Sequence, residues 1–303
     1  MKNITGKSMA QPGTLGPFDI LRVLPNSTQD SVGPVIFLEH IPATEFAPDE
    51  FPAHDGSFAH PHRGIATFTY LLSGELNHFD SHSGHGHVRD GGIQWMNAGN
   101  GIIHDETATD AFREQGGTFH GVQFWVNLPG KHKAQSPDYM PVESEQLPLI
   151  HLPDGVGTLK VLLGQYANAH SPIPAFTEQF IWHITLKSGQ KTCLQTTTGH
   201  EYGGYILNGS ASVNGTHTSE NEFLVFDSKY EGICIENPTS DALDILIFGG
   251  EPYKEPVISH GPFVMNSLLE IQQSYDDYYL GKYGTIDYST ASDTPPEPVS
   301  GTL

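Results

Sequence analysis

The stretch Tyr70–Leu76, YLLSGEL, recurs in similar form at Tyr205–Ala211, YILNGSA, and this repeat is the first indication of the fold. In both copies an apolar run reaches a turn glycine and continues as a second apolar run, which is typical of two consecutive strands. A repeat at a domain-sized separation indicates a duplicated domain. We therefore predict two domains, 1–150 and 151–288, with their boundary between about Leu149 and Gly157, where leucine, proline and glycine interrupt the strand pattern.

Short apolar runs alternate with turn residues along the whole chain, which contains 33 glycines and 22 prolines. The runs are rich in β-branched and aromatic residues, which suit a half-buried pleated surface. Their spacing is typical of sandwiches and barrels, so the sequence predicts an all-β fold. The predicted strands are Thr67–Leu72, Ile93–Met96, Gly121–Val126, Ile181–Leu186, Glu222–Phe226 and Leu243–Phe248.

One short C-terminal helix is predicted, over residues 267–280. Ser267 and Glu270 have the spacing of a capping box, and apolar residues recur at a helical period from Leu268 to Tyr278. The helix should pack one face on a barrel. The final residues, 289–303, are polar and rich in proline, and they are predicted to form a mobile tail.

Composition limits the function classes. The chain has 303 residues and a formal net charge of −21, with only 14 Lys and Arg. A broad contact with nucleic-acid phosphates needs a basic face, so direct DNA or RNA binding is not expected. No apolar run is long enough to span a bilayer, and the N-terminus lacks the apolar core of a secretory signal. The two cysteines do not make a disulfide framework, so a cytoplasmic protein is predicted.

Two short motifs predict a metal site. His60-Pro61-His62 places two imidazoles two residues apart, and His104-Asp105-Glu106 repeats the spacing with an imidazole and a carboxylate. Residues i and i+2 of a strand point to the same face. If the two strands lie side by side in a barrel, His60, His62, His104 and Glu106 converge on one ion. A single His-x-His pair would be weak evidence, because histidines also occur in cores and on surfaces.

Three imidazoles and one carboxylate suit Fe, Mn, Co, Ni or Zn, and they do not suit Mg or Ca, which prefer oxygen ligands. Four ligands in an octahedral sphere would leave two positions for water, substrate or dioxygen. Aligned through the repeat, His60 and His62 fall on Gln195 and Thr197. The second domain is therefore expected to bind no metal and to serve as structure.

Several motifs together resemble the pirin family, a group of proteins with two cupin domains. The resemblance runs from about Ser31 to about Tyr283. It implies two cupin barrels (double-stranded β-helices) with terminal segments crossing between them. It also implies His60, His62, His104 and Glu106 as ligands and Fe²⁺ as the usual metal. The motifs that carry it are HPHRG at His60–Gly64, TYLLSGELNHFDS at Thr69–Ser81, GGIQWMNAGNGIIHDE at Gly91–Glu106, FWVNLP at Phe124–Pro129 and GPFVMNS at Gly261–Ser267.

The resemblance leaves two classes of function open. Some members of the family oxidise the flavonol quercetin by a 2,3-dioxygenase route, which would make this chain an oxidoreductase with a small aromatic substrate. Others resemble non-enzymatic regulators, in which iron would act as a redox sensor and the partner would be a protein. A barrel that stores or binds a sugar without redox chemistry is a third alternative. Most pirins carry a glutamate four residues after the second histidine, where this chain has Ala66. This departure weakens the dioxygenase prediction more than the metal prediction.

If the chain is an enzyme, Glu106 is the predicted catalytic residue, acting as a general base that accepts a proton from a metal-bound hydroxyl of the substrate. Phe68, Trp95 and Phe124 are candidate walls for an aromatic ring, although ordinary barrel core explains them equally well.

Four other predictions concern neighbouring residues. The run from His78 to His87 contains glycine and serine and is interpreted as a solvated hairpin tip. His54 is interpreted as a loop residue near the mouth of the site. Arg63 is expected to bond a buried carboxylate or carbonyl. Gly99 and Gly101 are expected to let the strand that carries His104 enter the site.

Overall fold

The computed structural model describes residues 1–16, 18–51 and 55–290. These residues form 26 β-strands and two α-helices, so the predicted all-β class is confirmed. The helices are α1 (Asp110–Gln115) and α2 (Leu268–Tyr279). The strands are β1 (Ile4–Met9), β2 (Gln11–Leu15), β3 (Phe18–Leu24), β4 (Val35–Phe46), β5 (His60–His62), β6 (Ile65–Ser73), β7 (Leu76–Asp80), β8 (His85–Val88), β9 (Ile93–Asn97), β10 (Ile102–Thr107), β11 (Gly117–Asn127), β12 (Asp138–Val142), β13 (Leu149–His151), β14 (Gly157–Leu163), β15 (Gln165–Tyr166), β16 (Ala169–His170), β17 (Gln179–Leu186), β18 (Lys191–Leu194), β19 (Glu201–Asn208), β20 (Ala211–Val213), β21 (Thr216–Thr218), β22 (Glu222–Phe226), β23 (Ile233–Glu236), β24 (Leu243–Gly250), β25 (Ile258–His260) and β26 (Phe263–Met265).

The chain divides into two compact units that interleave along the sequence. One unit comprises residues 1–42, 122–129 and 144–255, and the other comprises 43–121, 130–143 and 256–303. The sequence predicts a single domain boundary between residues 150 and 151, and this boundary stays a prediction. Residues 291–303 of the predicted tail, and His54, lie outside the described residues.

The first unit is a barrel of two sheets. A seven-stranded sheet has the order β1-β22-β19-β24-β17-β14-β13, and a four-stranded sheet has the order β18-β23-β20-β21. Alternate residues of both sheets, such as Leu159 and Val161 on β14 and Ile233 and Ile235 on β23, are buried in one common core. This alternation is expected for strands that present one face to a core.

The second unit contains the predicted metal ligands. Its larger sheet has the order β12-β9-β6, followed by the first part of β11 and the last part of β4. Its smaller sheet has the order β5-β10-β7-β8. Helix α2 buries Ile271 in an apolar cluster with Phe263, Met265 and Tyr283.

The internal repeat is present in the structure. In one copy β6 leads through Gly74 into β7, and in the other β19 leads through Gly209 into β20. Gly74 has φ +102° and Gly209 has φ +87°, a region that side-chain-bearing residues rarely adopt. The two glycines therefore place the same strand connection in each unit.

The predicted strands all lie within observed strands, and the predicted helix is α2. The hydroxyl of Ser267 accepts the backbone N–H of Glu270 at 3.3 Å, as a capping box requires. The prediction that Leu268 belongs to the buried face of the helix is wrong, because this residue is 76 % exposed. Helix α1 was not predicted, because six residues are too few to show a helical period.

The two cysteines are bonded to each other, whereas the sequence analysis predicts no disulfide framework. Cys193 and Cys234 face each other in the antiparallel pairing of β18 and β23 and form a disulfide. Their sequence separation of 41 residues gives no signal of this, because only the strand register brings the two thiols together. Among the described residues, no helix combines the length and the apolar character needed to cross a membrane.

Candidate metal centre

Strand pairing brings the two metal motifs together. β5 pairs antiparallel with β10, so that His60 lies opposite His104 and His62 lies opposite Ile102. The centroid of the His60 imidazole lies 4.8 Å from that of His62 and 4.5 Å from that of His104, and the centroids of His62 and His104 lie 5.0 Å apart. One ring nitrogen from each of the three histidines falls within 4.8 Å of the others. The side-by-side arrangement predicted from the sequence is thus present for the three imidazoles.

Two of these imidazoles are oriented by backbone carbonyls. Nδ1 of His60 lies 2.7 Å from the Phe58 carbonyl oxygen, and Nδ1 of His62 lies 3.2 Å from that of Pro262. A carbonyl can only accept, so each Nδ1 carries the hydrogen and each Nε2 presents a lone pair. This outer hydrogen bond is the usual device that fixes a metal-binding histidine.

His104 is the most enclosed of the three. It is fully buried, and its Nε2 faces Nε2 of His60 at 3.1 Å. Its Nδ1 is buried without a hydrogen-bond partner among the described residues. Three imidazoles that converge with ring nitrogens facing one another are a donor set that fits a borderline divalent cation.

Burial keeps the imidazoles of His62 and His104 uncharged. Desolvation lowers the pKa of His62 well below 6.5, and repulsion from His60 adds to the effect. Desolvation also lowers the pKa of His104 well below 6.5, with repulsion from His60, His62 and His78 adding to it. Both imidazoles are therefore uncharged at pH 7, which is the form that binds a metal.

Glu106, the fourth predicted ligand, belongs to a second group that overlaps the first. In the pairing of β10 with β7, Glu106 lies opposite His78. Ligand atoms of His78, His104 and Glu106 lie within 4.8 Å of one another. Oε1 of Glu106 also accepts a hydrogen bond of 3.0 Å from the hydroxyl of Thr69. His104 is common to both groups, so the structure presents two candidate triads around one imidazole.

The interpretation of residues 78–87 as a solvated tip is wrong for its first part. The hairpin exists, formed by β7 and β8, but His78 is 1 % exposed and Asp80 is 3 % exposed. Nε2 of His78 lies 3.1 Å from Oδ2 of Asp80. The alternation His78–Asp80 within an apolar strand was a signal that both face inward, as residues i and i+2 do.

Tyr139 closes the side of the site behind His78. Its ring stacks on the His78 imidazole with centroids 3.9 Å apart and an interplanar angle of 2°. Its hydroxyl is buried and has no hydrogen-bond partner among the described residues. Burial, with the charges of Glu106 and Asp80 nearby, raises its pKa well above 10, so the hydroxyl stays protonated at neutral pH.

The three candidate walls are core residues. Phe68 and Trp95 face each other across β6 and β9 and are 0 % and 2 % exposed. Phe124 belongs to the first unit, where it packs edge-to-face on Phe248. Ala66 is also buried. Since this residue is alanine, the position expected to hold a glutamate from the family resemblance offers no carboxylate here.

Helix α2 and the segment before it support the strand that carries His60 and His62. Arg63 donates to Oδ2 of Asp277 at 2.8 Å, as the sequence analysis expects for a buried carboxylate partner. Gly101 has φ +125°, and a Cβ there would lie 2.1 Å from the ring of Tyr283. Only glycine fits at this position, which lets β10 enter the site next to Tyr283.

The neutral histidines predict a pH dependence. In the metal-free protein the unfolded state binds protons at His62 and His104 below pH 6.5, while the folded state does not. Stability should therefore fall as the pH drops from 6.5 to 5.5, by up to about 1.4 kcal/mol per pH unit for each histidine. Urea denaturation of chelator-treated protein measures this. The His104→Gln variant should show a shallower slope, and greater stability at pH 5.5 than at pH 6.5 would contradict the argument.

Tyr139→Phe tests the buried hydroxyl. Removing a buried polar group that has no partner should raise the free energy of unfolding by about 1 kcal/mol in metal-free protein. Tyr288→Phe is the matched control, because the Tyr288 hydroxyl donates to Asp105 at 3.0 Å. Its loss should lower the free energy of unfolding by a similar amount. A change of the same sign in both variants would refute the assignment.

Comparison with known proteins identifies the family. The sequence profile of Pirin matches residues 18–126, and that of the Pirin C-terminal cupin domain matches residues 181–284. A Pseudomonas aeruginosa protein named "Putative quercetin 2,3-dioxygenase" is 33% identical over 258 residues, covering 85% of this chain and 89% of that protein.

Solved structures agree with these matches. The crystal structure of a quercetin 2,3-dioxygenase from Acinetobacter baumannii has a TM-score of 0.88 and 30% identity, covering 95% of this chain and 100% of that one. The bacterial pirin YhhW from Escherichia coli, solved in complex with nickel(II), has a TM-score of 0.61 and 19% identity, covering 82% of this chain and 100% of that one. At that identity it supports the fold alone. The chain belongs to the pirin family and has the two-cupin architecture of that family.

Proposed function

We propose that the chain is a metal-dependent dioxygenase that acts on flavonol-type aromatic substrates, with Fe²⁺ held by His60, His62, His104 and Glu106. The observation that carries the proposal is the convergence of the His60, His62 and His104 imidazoles, whose ligand nitrogens lie within 4.8 Å of one another. The names of the P. aeruginosa relative and the A. baumannii structure support a quercetin-like substrate. Mn, Co, Ni and Zn remain candidate metals, because the donor set suits each of them.

The residues of the chain supply orientation and proton transfer. The carbonyls of Phe58 and Pro262 hold His60 and His62 with Nε2 facing the centre. A bound divalent ion would lower the pKa of a substrate hydroxyl and favour its anion. The proton released can pass to Glu106, whose Oε1 is held by the Thr69 hydroxyl at 3.0 Å. His60 is the exposed member of the triad, so we place the substrate entrance on its side.

Aerobic turnover of quercetin by iron-loaded protein tests the proposal. We expect oxygen consumption that depends on added iron. Glu106→Gln should lower kcat by about 100-fold or more if the carboxylate is the general base. Thr69→Val, which removes only the hydrogen bond to Glu106, should have a smaller effect. Oxygen consumption no higher than in the metal-free blank would overturn the enzymatic proposal.

Ala66 favours a second candidate, a non-enzymatic iron-dependent redox sensor that binds a protein partner. A carboxylate at this buried position could orient a ligand or accept a proton, and the chain lacks it. Ala66→Glu separates the candidates. Measurable quercetin turnover in the variant combined with none in the wild type would favour the sensor, and turnover in the wild type would exclude it as the sole role.

The cytoplasm is the proposed compartment. Disulfides are rare in reducing compartments, so the Cys193–Cys234 pair bears directly on the proposal. A reducing cytoplasm would convert the pair to two thiols, so alkylation of thiols in intact cells, followed by mass spectrometry, should find both cysteines alkylated. A disulfide recovered from intact cells would argue for an oxidising compartment.

A further inference from the structure

The first unit contains a cavity that the metal site does not use. Its volume is about 810 Å³, and all of its lining residues lie between Gly164 and Tyr202. It opens to solvent, and its volume lies within the range of about 300–1,000 Å³ that is typical of small-molecule sites. The sequence analysis assigned this domain a structural role, and a cavity of this size is not needed for that role.

One wall of the cavity is aromatic. Phe180 and Trp182 stack with centroids 4.3 Å apart, Tyr202 lies 4.7 Å from Phe180, and Tyr166 meets Trp182 edge-to-face at 4.9 Å. The indole N–H of Trp182 donates to the Gln165 carbonyl at 3.1 Å. The wall is therefore fixed before any ligand arrives, and its ring faces suit a flat, apolar surface.

Another part of the lining, next to the two tyrosine hydroxyls, is polar. The backbone N–H of Gln195 donates to the Tyr166 hydroxyl at 3.3 Å, and that of Thr197 donates to the Tyr202 hydroxyl at 2.9 Å. Both segments are held in place by these bonds, and the Gln195 and Thr197 side chains are exposed to solvent. In the repeat, these two positions correspond to His60 and His62. Where one barrel has imidazoles for a metal, the other has an amide and a hydroxyl, which form hydrogen bonds.

The charge of the lining narrows the ligand class. Among the described residues, neither Lys nor Arg lines the cavity. At its edge the imidazole of His200 contacts the carboxylate of Glu178, with Nε2 and Oε2 2.9 Å apart. An anionic ligand would meet the Glu178 carboxylate and, in the described part of the chain, neither Lys nor Arg, and a purely apolar one would make no use of the Gln195 and Thr197 side chains.

We propose that this cavity binds a neutral, flat, polyhydroxylated molecule, which stacks on Tyr166 and Trp182 and hydrogen-bonds to Gln195 and Thr197. Polyphenols and saccharides share this chemistry. The inference does not rest on the dioxygenase proposal, because it concerns residues of the other unit.

The test is isothermal titration of chelator-treated, full-length protein with quercetin and, separately, with cellobiose. We expect one molecule of one of these probes to bind per chain. Ala175 is exposed and lines the cavity, so Ala175→Trp should fill the space and weaken binding more than tenfold. Thr197→Val removes one hydroxyl and should weaken binding about three- to tenfold.

Ala134→Trp is the matched control, because Ala134 is exposed and belongs to the other unit. It should leave binding unchanged, and thermal melts should show that all three variants fold. Quercetin binding alone would identify a polyphenol site, and cellobiose binding alone a saccharide site. If neither probe binds, or if Ala175→Trp binds as tightly as the wild type, the proposal is overturned.

Discussion

His62→Ala is expected to lower the affinity of the protein for divalent metal by more than about 100-fold, whereas His78→Ala should lower it by less than about tenfold. The prediction chooses between the two triads that share His104. In the first, His60, His62 and His104 bind the ion, with Glu106 as the proposed fourth ligand, and in the second His78, His104 and Glu106 bind it. We choose the first because it joins three imidazoles, two of which present Nε2 to the centre, a donor set that suits a borderline divalent ion.

The contacts of each histidine give the physical reason. Nδ1 of His62 lies by the Pro262 carbonyl, so its Nε2 lone pair is available to an ion. Nε2 of His78 lies 3.1 Å from the Asp80 carboxylate, and that contact lowers the pKa of Asp80 below 3.8 against the opposing effect of burial. Coordination through this nitrogen would remove the His78 contact from Oδ2 of the buried Asp80 carboxylate, whose Oδ1 keeps the N–H groups of His82 and Gly84, and losing one buried hydrogen bond carries a cost.

Metal analysis of protein purified without a histidine tag, followed by competition with a chelator, measures both affinities. The two variants are matched, because each removes one buried imidazole from a neighbouring strand of the same sheet. If His78→Ala loses the metal and His62→Ala retains it, the second triad holds the ion. Unchanged metal content in both variants would contradict both triads.

The sequence predicted the parts of this site that depend on short-range pattern. The i, i+2 spacing predicted that His60 and His62 lie on one strand, because alternation along a strand is a local property, and their role as metal ligands stays a prediction. The repeat predicted two similar strand connections for the same reason. The same alternation indicates that His78 faces inward. The glycines and serines at residues 81–86, however, are typical of a solvated hairpin tip.

The remaining parts depend on contacts between residues far apart in the chain. His62 is held by Pro262, which lies 200 residues away, and Arg63 is held by Asp277, which lies 214 residues away. No periodicity connects such positions. The cavity of the first unit was missed for a different reason, because the absence of histidines at Gln195 and Thr197 was interpreted as the absence of a site.

Asp277→Asn is expected to lower the free energy of unfolding by about 3 kcal/mol at pH 7, because it breaks a largely buried ion pair. The side chains of Arg63 and Asp277 are only 15% and 13% exposed, and Nη1 of Arg63 lies 2.8 Å from Oδ2 of Asp277. The amide would leave the Arg63 guanidinium without a counter-charge in a place that water reaches poorly. Urea denaturation of metal-free protein measures the change.

The pH dependence of the wild type provides a second measurement. A hydrogen bond from Lys282, supported by Arg63 and Gln273, lowers the pKa of Asp277 from 3.8 to about 2. The folded-state pKa is below the unfolded one, so the carboxylate stabilises the fold above pH 3.8, and this contribution is lost as the pH falls toward 2. The shift is worth about 2 kcal/mol. The stability of the wild type should therefore approach that of Asp277→Asn as the pH falls through this range.

Asp276→Asn is the matched control, since Asp276 is adjacent on α2 and exposed. It removes the same charge and should change the free energy of unfolding by less than about 0.5 kcal/mol. Arg63 follows His62 directly, and its backbone carbonyl accepts the N–H of Val264 at 3.1 Å, so the ion pair also holds the segment that orients His62. Asp277→Asn should accordingly weaken metal binding by about tenfold, as changes behind a ligand do. Equal loss of stability in both variants would mean that net charge, and not the pairing with Arg63, governs this end of the fold.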